Sequence, residues 1–255
     1  MSTTSAESHD LVISVQGLSK AFGNLKVLEK INVSVRRGEN HVVLGRSGSG
    51  KSVLIKILAG LLEPDEGSMI MLAQDLTNLN KPGWLALRRR VGFLFQGNAL
   101  YDSMTVRENL EFPLVRNKPE LSLKDIRSAV EEVLKEVGLL QTIDQFPASL
   151  SGGQKKRIGI ARTLILKPEI IFYDEPTSGL DPVTCVEINE LIRKVQQQYN
   201  TSAILITHDL TCARSTGDRI SLLADGHFMC TGSFDDVFHN GRPEAKAFYA
   251  YNFIQ

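Results

Sequence analysis

The chain has 255 residues, a formal net charge of +0 at pH 7, 42% hydrophobic residues and 23% charged residues. This is ordinary globular composition, with enough length for one large or two modest packed units, and it does not indicate a strongly basic surface for nucleic acid. We therefore expect no nucleic-acid partner. No stretch approaches the roughly 18 consecutive apolar residues that span a bilayer, so any membrane crossing is expected to belong to another chain.

The cysteines and the N-terminus suggest the compartment. Cys185, Cys212 and Cys230 lie far apart, without CxxC spacing or paired histidines, so neither a zinc site nor a disulfide framework is indicated. We expect reduced, mostly buried thiols in a cytosolic protein. Residues 1–10 are small and polar and lack the basic start and apolar centre of a secretory signal, which predicts a disordered N-terminus.

Short apolar runs alternate with helical patterns, which is typical of an α/β domain with a largely parallel sheet. Strands are predicted at 11–16, 30–35, 41–45, 68–73, 91–96, 169–175, 203–207 and 219–226, and a helix at 51–62. Between about 97 and 165 the pattern becomes consecutively helical, which predicts a helical subdomain inserted into the α/β core. One of these helices lies within 122–140 and presents an apolar face formed by Ile126, Val130, Val133, Leu134 and Val137.

The first chemical motif is GRSGSGKS, residues 45–52, which follows a predicted strand and precedes a predicted helix. Its glycines let backbone N–H groups curl around a polyphosphate, and the helix dipole adds positive potential. Lys51 is predicted to reach the β- and γ-phosphates, and the Ser52 hydroxyl to ligate Mg²⁺. The remaining members of this predicted nucleotide-binding loop are Gly45, Arg46, Ser47, Gly48, Ser49 and Gly50.

A second motif, IIFYDE at 170–175, is an apolar strand that ends in two carboxylates. Ligands of parallel sheets bind at the carboxyl ends of the strands, so Asp174 is placed to orient the Mg²⁺ shell. Glu175, one residue further, is placed to accept a proton from an attacking water. An acidic turn is the alternative for an isolated pair, but a phosphate loop without a metal partner and a base is incomplete chemistry.

A third motif, LSGGQKKR at 150–157, begins a predicted helix with three cations, Lys155, Lys156 and Arg157. The positive end of the helix dipole lies at the N-terminus, so each cation there is disfavoured by about 0.3 kcal/mol or more. This pattern predicts that an anion visits the helix start.

Together these motifs resemble those of the ABC-type ATPases. GRSGSGKS, LSGGQ, IIFYDEP, SGLD at 178–181 and LITHD occur in the order of that family, over a span from about residue 20 to about residue 240. The resemblance implies an ABC-type nucleotide-binding domain over 11–240, with a mainly parallel core sheet, an antiparallel β subdomain and the helical subdomain, followed by a tail at 241–255. It also implies Mg²⁺-dependent ATP hydrolysis.

The resemblance assigns further roles. Phe22 looks like the aromatic residue on which adenine stacks, where the family commonly has tyrosine, although a core phenylalanine is an equal alternative. Gln96 resembles the Q-loop residue that touches Mg²⁺ and the attacking water and that couples the site to the partner subunit. His208 resembles the histidine that contacts the γ-phosphate and, with Glu175, holds the water. Asp181 looks like the D-loop aspartate that crosses to the other subunit, and it also suits a helix N-cap before Pro182.

The same resemblance answers the question raised by the third motif. In ABC ATPases two subunits pair head to tail, so Ser151, Gly152, Gly153 and Gln154 of one copy close over the ATP of the other. The visiting anion is then the γ-phosphate held by a second copy. The three cations are expected to raise the local potential, or to face solvent or acidic neighbours.

A single nucleotide-binding module without membrane spans looks like the ATPase subunit of a transporter, peripheral on the cytoplasmic face of the inner membrane and bound to membrane permease subunits. Soluble ABC machines are the alternative. Residues 48–67 and 95–114, with Val53 in place of the usual Thr or Ser, resemble Mla-type ATPases, which move phospholipid together with MCE-domain proteins. An MCE-domain protein and a small accessory subunit are then the further expected partners. An amino-acid-type importer and a lipoprotein-releasing system remain alternatives.

Overall fold

The structure is a computed structural model that describes residues 10–97, 99–239 and 243–253. The predicted disorder at 1–10 falls outside the described residues except at Asp10. No helix within the described ranges is both long enough and apolar enough to cross a membrane.

The chain alternates strands and helices along most of its length. Its strands are β1 (Leu11–Phe22), β2 (Leu25–Arg36), β3 (Asn40–Leu44), β4 (Glu66–Met71), β5 (Gln74–Asp75), β6 (Val91–Leu94), β7 (Ile170–Asp174), β8 (Ser202–Thr207), β9 (Arg219–Ala224) and β10 (His227–Gly232). Its α-helices are α1 (Lys51–Leu58), α2 (Lys81–Arg88), α3 (Val106–Asn117), α4 (Leu123–Glu136), α5 (Gly152–Leu164), α6 (Pro182–Tyr199), α7 (Leu210–Thr216), α8 (Phe234–Phe238) and α9 (Pro243–Phe253). Short 3₁₀ turns occupy Leu140–Thr142 and Pro147–Ser149.

Two sheets organise the molecule. The larger has the order β10-β9-β3-β8-β7-β6, and its pairs are parallel except for β10 with β9. The smaller is antiparallel, in the order β2-β1-β4-β5. This arrangement confirms the predicted α/β class with a mainly parallel core sheet and a separate antiparallel sheet.

The central strands are buried on both faces, as is usual for parallel sheets covered on two sides. Along β8, Ala203 and Leu205 belong to one hydrophobic cluster while Ile204 and Ile206 belong to another. Strands β3 and β7 alternate in the same way. Because all five residues of β3 and of β7 are buried, the ends of these strands are fixed points from which the following loops project.

The helices between β6 and β7 have recognisable N-terminal caps. Thr105 and Glu108 form a capping box at the start of α3, and Ser122 caps α4. The predicted apolar face of α4 and the residue after it is confirmed, because all five residues of that face are buried.

Several sequence predictions differ from the structure in detail. Strand β1 continues to Phe22 and β2 begins at Leu25, because the Gly23–Asn24 turn joins them as one long hairpin. Helix α1 ends at Leu58, and Gly60 follows it with φ +66°, a left-handed conformation that stops a helix. Mostly buried cysteines were expected, but only Cys212 is buried, while Cys185 and Cys230 are half-buried.

Candidate functional site

The phosphate loop, residues 45–52, joins β3 to the start of α1. Gly48 and Gly50 have φ values of +81° and +100°, which side-chain-bearing residues rarely adopt. A Cβ on Gly45 would lie 2.4 Å from the Leu223 carbonyl oxygen. Gly50 is the N-cap of α1 and has no side chain to cap the helix, so the N–H groups of Lys51 and Ser52 are available to a ligand, whereas that of Val53 donates to the Gly50 carbonyl oxygen at 3.0 Å. The loop therefore has the form of a phosphate cradle.

Lys51 is buried beneath this loop. Its Nζ donates to the carbonyl oxygens of Gly45 at 2.7 Å and Arg46 at 2.9 Å, and lies 3.7 Å from Glu175 Oε1. Burial lowers the pKa of the Lys51 ammonium, while the negative charges of Glu175 and Asp174 act in the opposite direction. The lysine thus lies between the phosphate loop and the carboxylates that the sequence predicted.

Asp174 is the last residue of β7 and is buried. Its Oδ1 has no hydrogen-bond partner, and burial, followed by the charge of Glu175, raises the pKa of its carboxyl. An unpaired buried carboxylate oxygen at the end of a parallel strand fits an oxygen-seeking cation such as Mg²⁺. Ser52 is exposed on the first turn of α1, where its hydroxyl is available for the same ion.

Glu175 projects from the end of β7 with a left-handed backbone, φ +48°. Its N–H donates to the Ile206 carbonyl oxygen at 3.0 Å. Its carboxylate Oε2 lies 2.9 Å from His208 Nδ1 and accepts from Thr207 Oγ1 at 3.4 Å. Strain at a non-glycine residue is found where surrounding contacts over-determine the backbone, often in active sites.

Two predicted residues lie at the margin of this cluster. Gln96 is exposed, and its side-chain amide donates to Ser178 Oγ at 3.4 Å. Phe22 is 49% exposed, so it is not a core phenylalanine, and its predicted stacking on adenine stays a prediction. It pairs with Leu25, which lines a cavity of about 730 Å³ together with Ser47 and Gly48 of the phosphate loop.

The LSGGQ segment forms the N-terminus of α5. Ser151 Oγ accepts from the Gln154 N–H at 3.2 Å, and Gln154 Oε1 accepts from the Ser151 N–H at 2.9 Å. This is a capping box, which the S-x-x-Q spacing could have revealed from sequence. The Ser151 hydroxyl proton remains able to donate to an anion. These bonds run within the segment and not to residues 45–52.

The same segment packs against the start of α6. A Cβ on Gly153 would lie 2.5 Å from Thr184 Cγ2, and one on Gly152 would lie 3.3 Å from Leu180. Asp181 caps α6 by accepting from the N–H groups of Val183 and Thr184. The predicted helix-cap role of Asp181 is therefore confirmed, and its predicted contact with another subunit stays a prediction.

The three cations at the start of α5 have different environments. Arg157 pairs with Glu187 at 2.6 Å, which agrees with an acidic neighbour, and Lys155 is half-buried. For Lys156 the expectation of a solvent-facing residue is wrong, whereas that of acidic neighbours holds, because the charges of Asp174 and Glu175 act on its ammonium. Its Nζ is buried and donates to the carbonyl oxygens of Gln96 at 2.7 Å and Glu175 at 3.4 Å. No periodicity in the sequence distinguishes it from its neighbours.

Comparison with known proteins identifies the family. The family model described as "ABC transporter" matches residues 28–178. The "Probable ribonucleotide transport ATP-binding protein mkl" of Mycobacterium leprae is 37% identical over 93% of this chain and 68% of its own length. The "Methionine import ATP-binding protein MetN" of Cupriavidus metallidurans is 38% identical over 89% of this chain and 67% of its own length. The chain thus spans about two thirds of the length of these relatives.

A solved structure of an ATP-binding cassette also matches this chain. The dimeric ATP-binding cassette MJ0796, described as a post-hydrolysis state bound to ADP and Pi, superposes with a TM-score of 0.79 at 31% identity, covering 87% of this chain and 98% of that chain. The match shows that the two chains share the same fold. This chain belongs to the ABC transporter family, as an ATP-binding subunit that hydrolyses ATP with Mg²⁺.

Proposed function

We propose that this chain is the ATPase subunit of a phospholipid transporter, working as a homodimer on the cytoplasmic face of the inner membrane with integral membrane permease subunits. The observation that carries the catalytic part is the pairing of Glu175 with His208 and Lys51, at 2.9 and 3.7 Å, beside the unpaired oxygen of Asp174.

We assign Glu175 as the base that accepts a proton from the attacking water, and His208 as the residue that orients its carboxylate. Lys51 and the N–H groups of residues 45–52 bind the phosphates. Ser52, Asp174 and Gln96 hold Mg²⁺, which when bound neutralises charge on the β- and γ-phosphate oxygens. Phe22 stacks on the adenine.

The proposed homodimer is supported by the presence of two separate segments assigned to phosphate binding in one chain. Residues 45–52 and 151–154 are both assigned to anion binding, yet the side-chain bonds of Ser151 and Gln154 run to each other and not to residues 45–52. A second copy placed head to tail brings Ser151, Gly152 and Gly153 onto the γ-phosphate. Asp181, at the start of α6 beside this loop, then faces the partner. The dimeric cassette MJ0796 supports this arrangement.

The permease subunit is proposed to dock in an apolar groove of about 230 Å³, lined by Leu58, Leu61, Met71, Trp84, Arg88, Val91, Phe93 and Phe95 among others. Leu61 and Phe95 are 54% and 39% exposed. Phe95 immediately precedes Gln96, so a permease segment in the groove contacts the chain next to the nucleotide site. The residues that follow Gln96 contact α5. Arg162 of α5 donates to the Ala99 carbonyl oxygen, and its guanidinium carbon lies 4.6 Å from the centre of the Tyr101 ring.

The phospholipid cargo is inferred from the resemblance of residues 48–67 and 95–114 to Mla-type ATPases, which also implies an MCE-domain partner. Amino-acid import is the second candidate, favoured by the 38% identity with a methionine import protein. The two differ in the proteins that accompany the permease.

Affinity purification of the full chain from its native membranes, followed by mass spectrometry, tests the cargo. We expect a permease and an MCE-domain protein, with phospholipid retained after detergent extraction. A permease with a periplasmic amino-acid-binding protein would contradict the phospholipid assignment. Failure of the chain to retain any membrane protein would contradict the transporter role itself. A Leu61→Glu variant in the groove should lose the permease, whereas Leu123→Glu, at an exposed position of α4 (73%), should retain it.

A further inference from the structure

Lys156 is a buried cation that the assignments above do not use. It lies on the second turn of α5 and is 2% exposed. Lysines are almost never fully buried unless their ammonium group is paired. Its Nζ donates to two main-chain carbonyl oxygens, those of Gln96 at 2.7 Å and Glu175 at 3.4 Å.

The surroundings of this ammonium act on its charge in opposite directions. Burial lowers the pKa of Lys156, and the nearby negative charges of Asp174 and Glu175 oppose that shift. Helix α5 therefore contributes a further cation, besides Lys51 and Lys56, to the surroundings of these carboxylates. A buried ammonium that donates to fixed carbonyl oxygens has a defined position.

The contact between Lys156 and Glu175 involves a residue with a strained, left-handed backbone, Glu175. Its N–H is bonded to the Ile206 carbonyl oxygen at 3.0 Å. Its carbonyl oxygen accepts from both Lys156 and the Ser178 N–H, the latter at 3.2 Å. Both peptide groups of this left-handed residue are thus held, which is how a strained backbone persists.

The Gln96 contact links the groove to the same ammonium. Gln96 follows Phe95 of the groove, and its main-chain oxygen is the nearer of the two acceptors of Lys156. A shift of the Gln96 backbone therefore acts on the ammonium that also holds the backbone of Glu175. Helix α5 is linked to both backbones because it carries the lysine.

We propose that Lys156 is a positioning residue of ATP hydrolysis. It holds the backbones of Gln96 and Glu175 in a fixed position relative to helix α5 of the same chain. This inference rests on the proposed roles of Glu175 and Gln96. Because its ammonium donates to these two carbonyl oxygens, we assign Lys156 no contact with ATP or the attacking water; it acts through the geometry of Gln96 and Glu175.

The test compares Lys156→Met, which keeps the length of the side chain and removes the donor, with Lys156→Arg, which keeps a cationic donor. Lys194→Met is the matched control, because Lys194 also donates to a main-chain carbonyl oxygen, that of Glu136 at 3.3 Å, but at an exposed position of α6. ATPase rates, the KM for ATP and melting temperatures are measured on the full chain with its permease.

We expect Lys156→Met to lower kcat by about tenfold to 100-fold, as small displacements of catalytic groups do. The KM for ATP should stay within about twofold, because the phosphate loop is untouched. Lys156→Arg should recover most of the loss, and Lys194→Met should match the wild type. In a Glu175→Gln background, Lys156→Met should reduce the residual rate much less than in the wild type, since the two residues act as a unit.

A folded Lys156→Met protein with wild-type kcat would overturn the proposal. The proposal would also be overturned if Lys156→Met and Lys156→Arg both lost kcat and melting temperature to the same extent. That result would indicate a structural role only. If Lys156→Met does not fold, Lys156→Gln takes its place with the same criteria. Wild-type turnover in Glu175→Gln alone would instead refute the proposed role of Glu175, so the two failures are distinguishable.

Discussion

His208 Nδ1 lies 2.9 Å from Glu175 Oε2, although the two residues are 33 positions apart in the sequence. They meet because β7 and β8 are adjacent and parallel, with Asp174 opposite Ile206 in the register. Each residue follows its strand end closely, so the two side chains leave the same edge of the sheet. This short contact orients the Glu175 carboxylate.

Replacing Glu175 with glutamine should keep ATP binding and lower turnover by about 100-fold or more, because the amide keeps the shape but cannot accept the proton. Phosphate release and binding of a fluorescent ATP analogue measure the two effects. Glu190→Gln, at an exposed position of α6, is the control and should be unchanged. A turnover rate near that of the wild type would remove Glu175 from the base role.

Replacing His208 with alanine should lower kcat by about tenfold to 100-fold, because the Glu175 carboxylate loses its nearest partner. The control is His239→Ala, which removes a similar contact, that of the exposed His239 at the C-terminal end of α8 with Asp235 at 2.8 Å. The two variants are compared by steady-state ATPase assays. Equal activities for both would show that the Glu175 contact has no catalytic role.

Gly153→Ala should destabilise the contact between α5 and α6, because the added Cβ would lie 2.5 Å from Thr184 Cγ2. Thr184→Ser removes that methyl group while keeping the hydroxyl that bonds to Asp181. The double variant should therefore be more stable than Gly153→Ala alone by about 1 kcal/mol, a non-additive result. Urea unfolding of the four proteins measures the cycle. Additive changes would show that the loop moves away from Thr184.

Folding stability should decrease in mild acid because of His41. Burial, with a smaller effect of Arg219, lowers the pKa of His41 from 6.5 to about 3. The unfolded chain thus binds a proton below about pH 6.5 that the folded chain does not. The contribution of neutral His41 to folding stability is therefore complete above that pH and decreases as the pH falls. Between pH 7 and pH 5 it amounts to about 2 kcal/mol.

His41→Gln keeps a polar group near Ser221, the residue that His41 Nε2 contacts at 2.8 Å, and removes the titration. Urea unfolding at pH 7 and pH 5 should show a smaller loss of stability for this variant than for the wild type. Identical losses in the two proteins would mean that His41 is protonated in the folded state.

The sequence predicted the α/β class and the phosphate loop because each depends on local pattern, whereas the separate antiparallel sheet was expected only from the family resemblance. Strand β7 shows this well, since an unbroken apolar run followed by Asp174 and Glu175 predicts both a buried strand and the chemistry at its end. Motif order then predicted that His208 belongs with these carboxylates.

Other features depend on contacts between distant segments. Lys155, Lys156 and Arg157 are consecutive cations in the sequence, and only their directions on the packed helix separate a half-buried residue, a buried carbonyl-binding residue and a surface ion pair. The contact of Gly153 with Thr184 likewise joins segments whose spacing in the sequence carries no signal. The end of α1 was placed too late because the apolar pattern continues past Gly60.

Because Ser151 and Gln154 are bonded to each other, the LSGGQ segment already has its conformation before the proposed second copy binds. Association then requires little ordering of the loop, and the entropy lost on binding is mainly that of bringing two bodies together. The rate of ATP-driven closure should accordingly be governed by orientation and diffusion of preorganised surfaces, with no folding step at the loop.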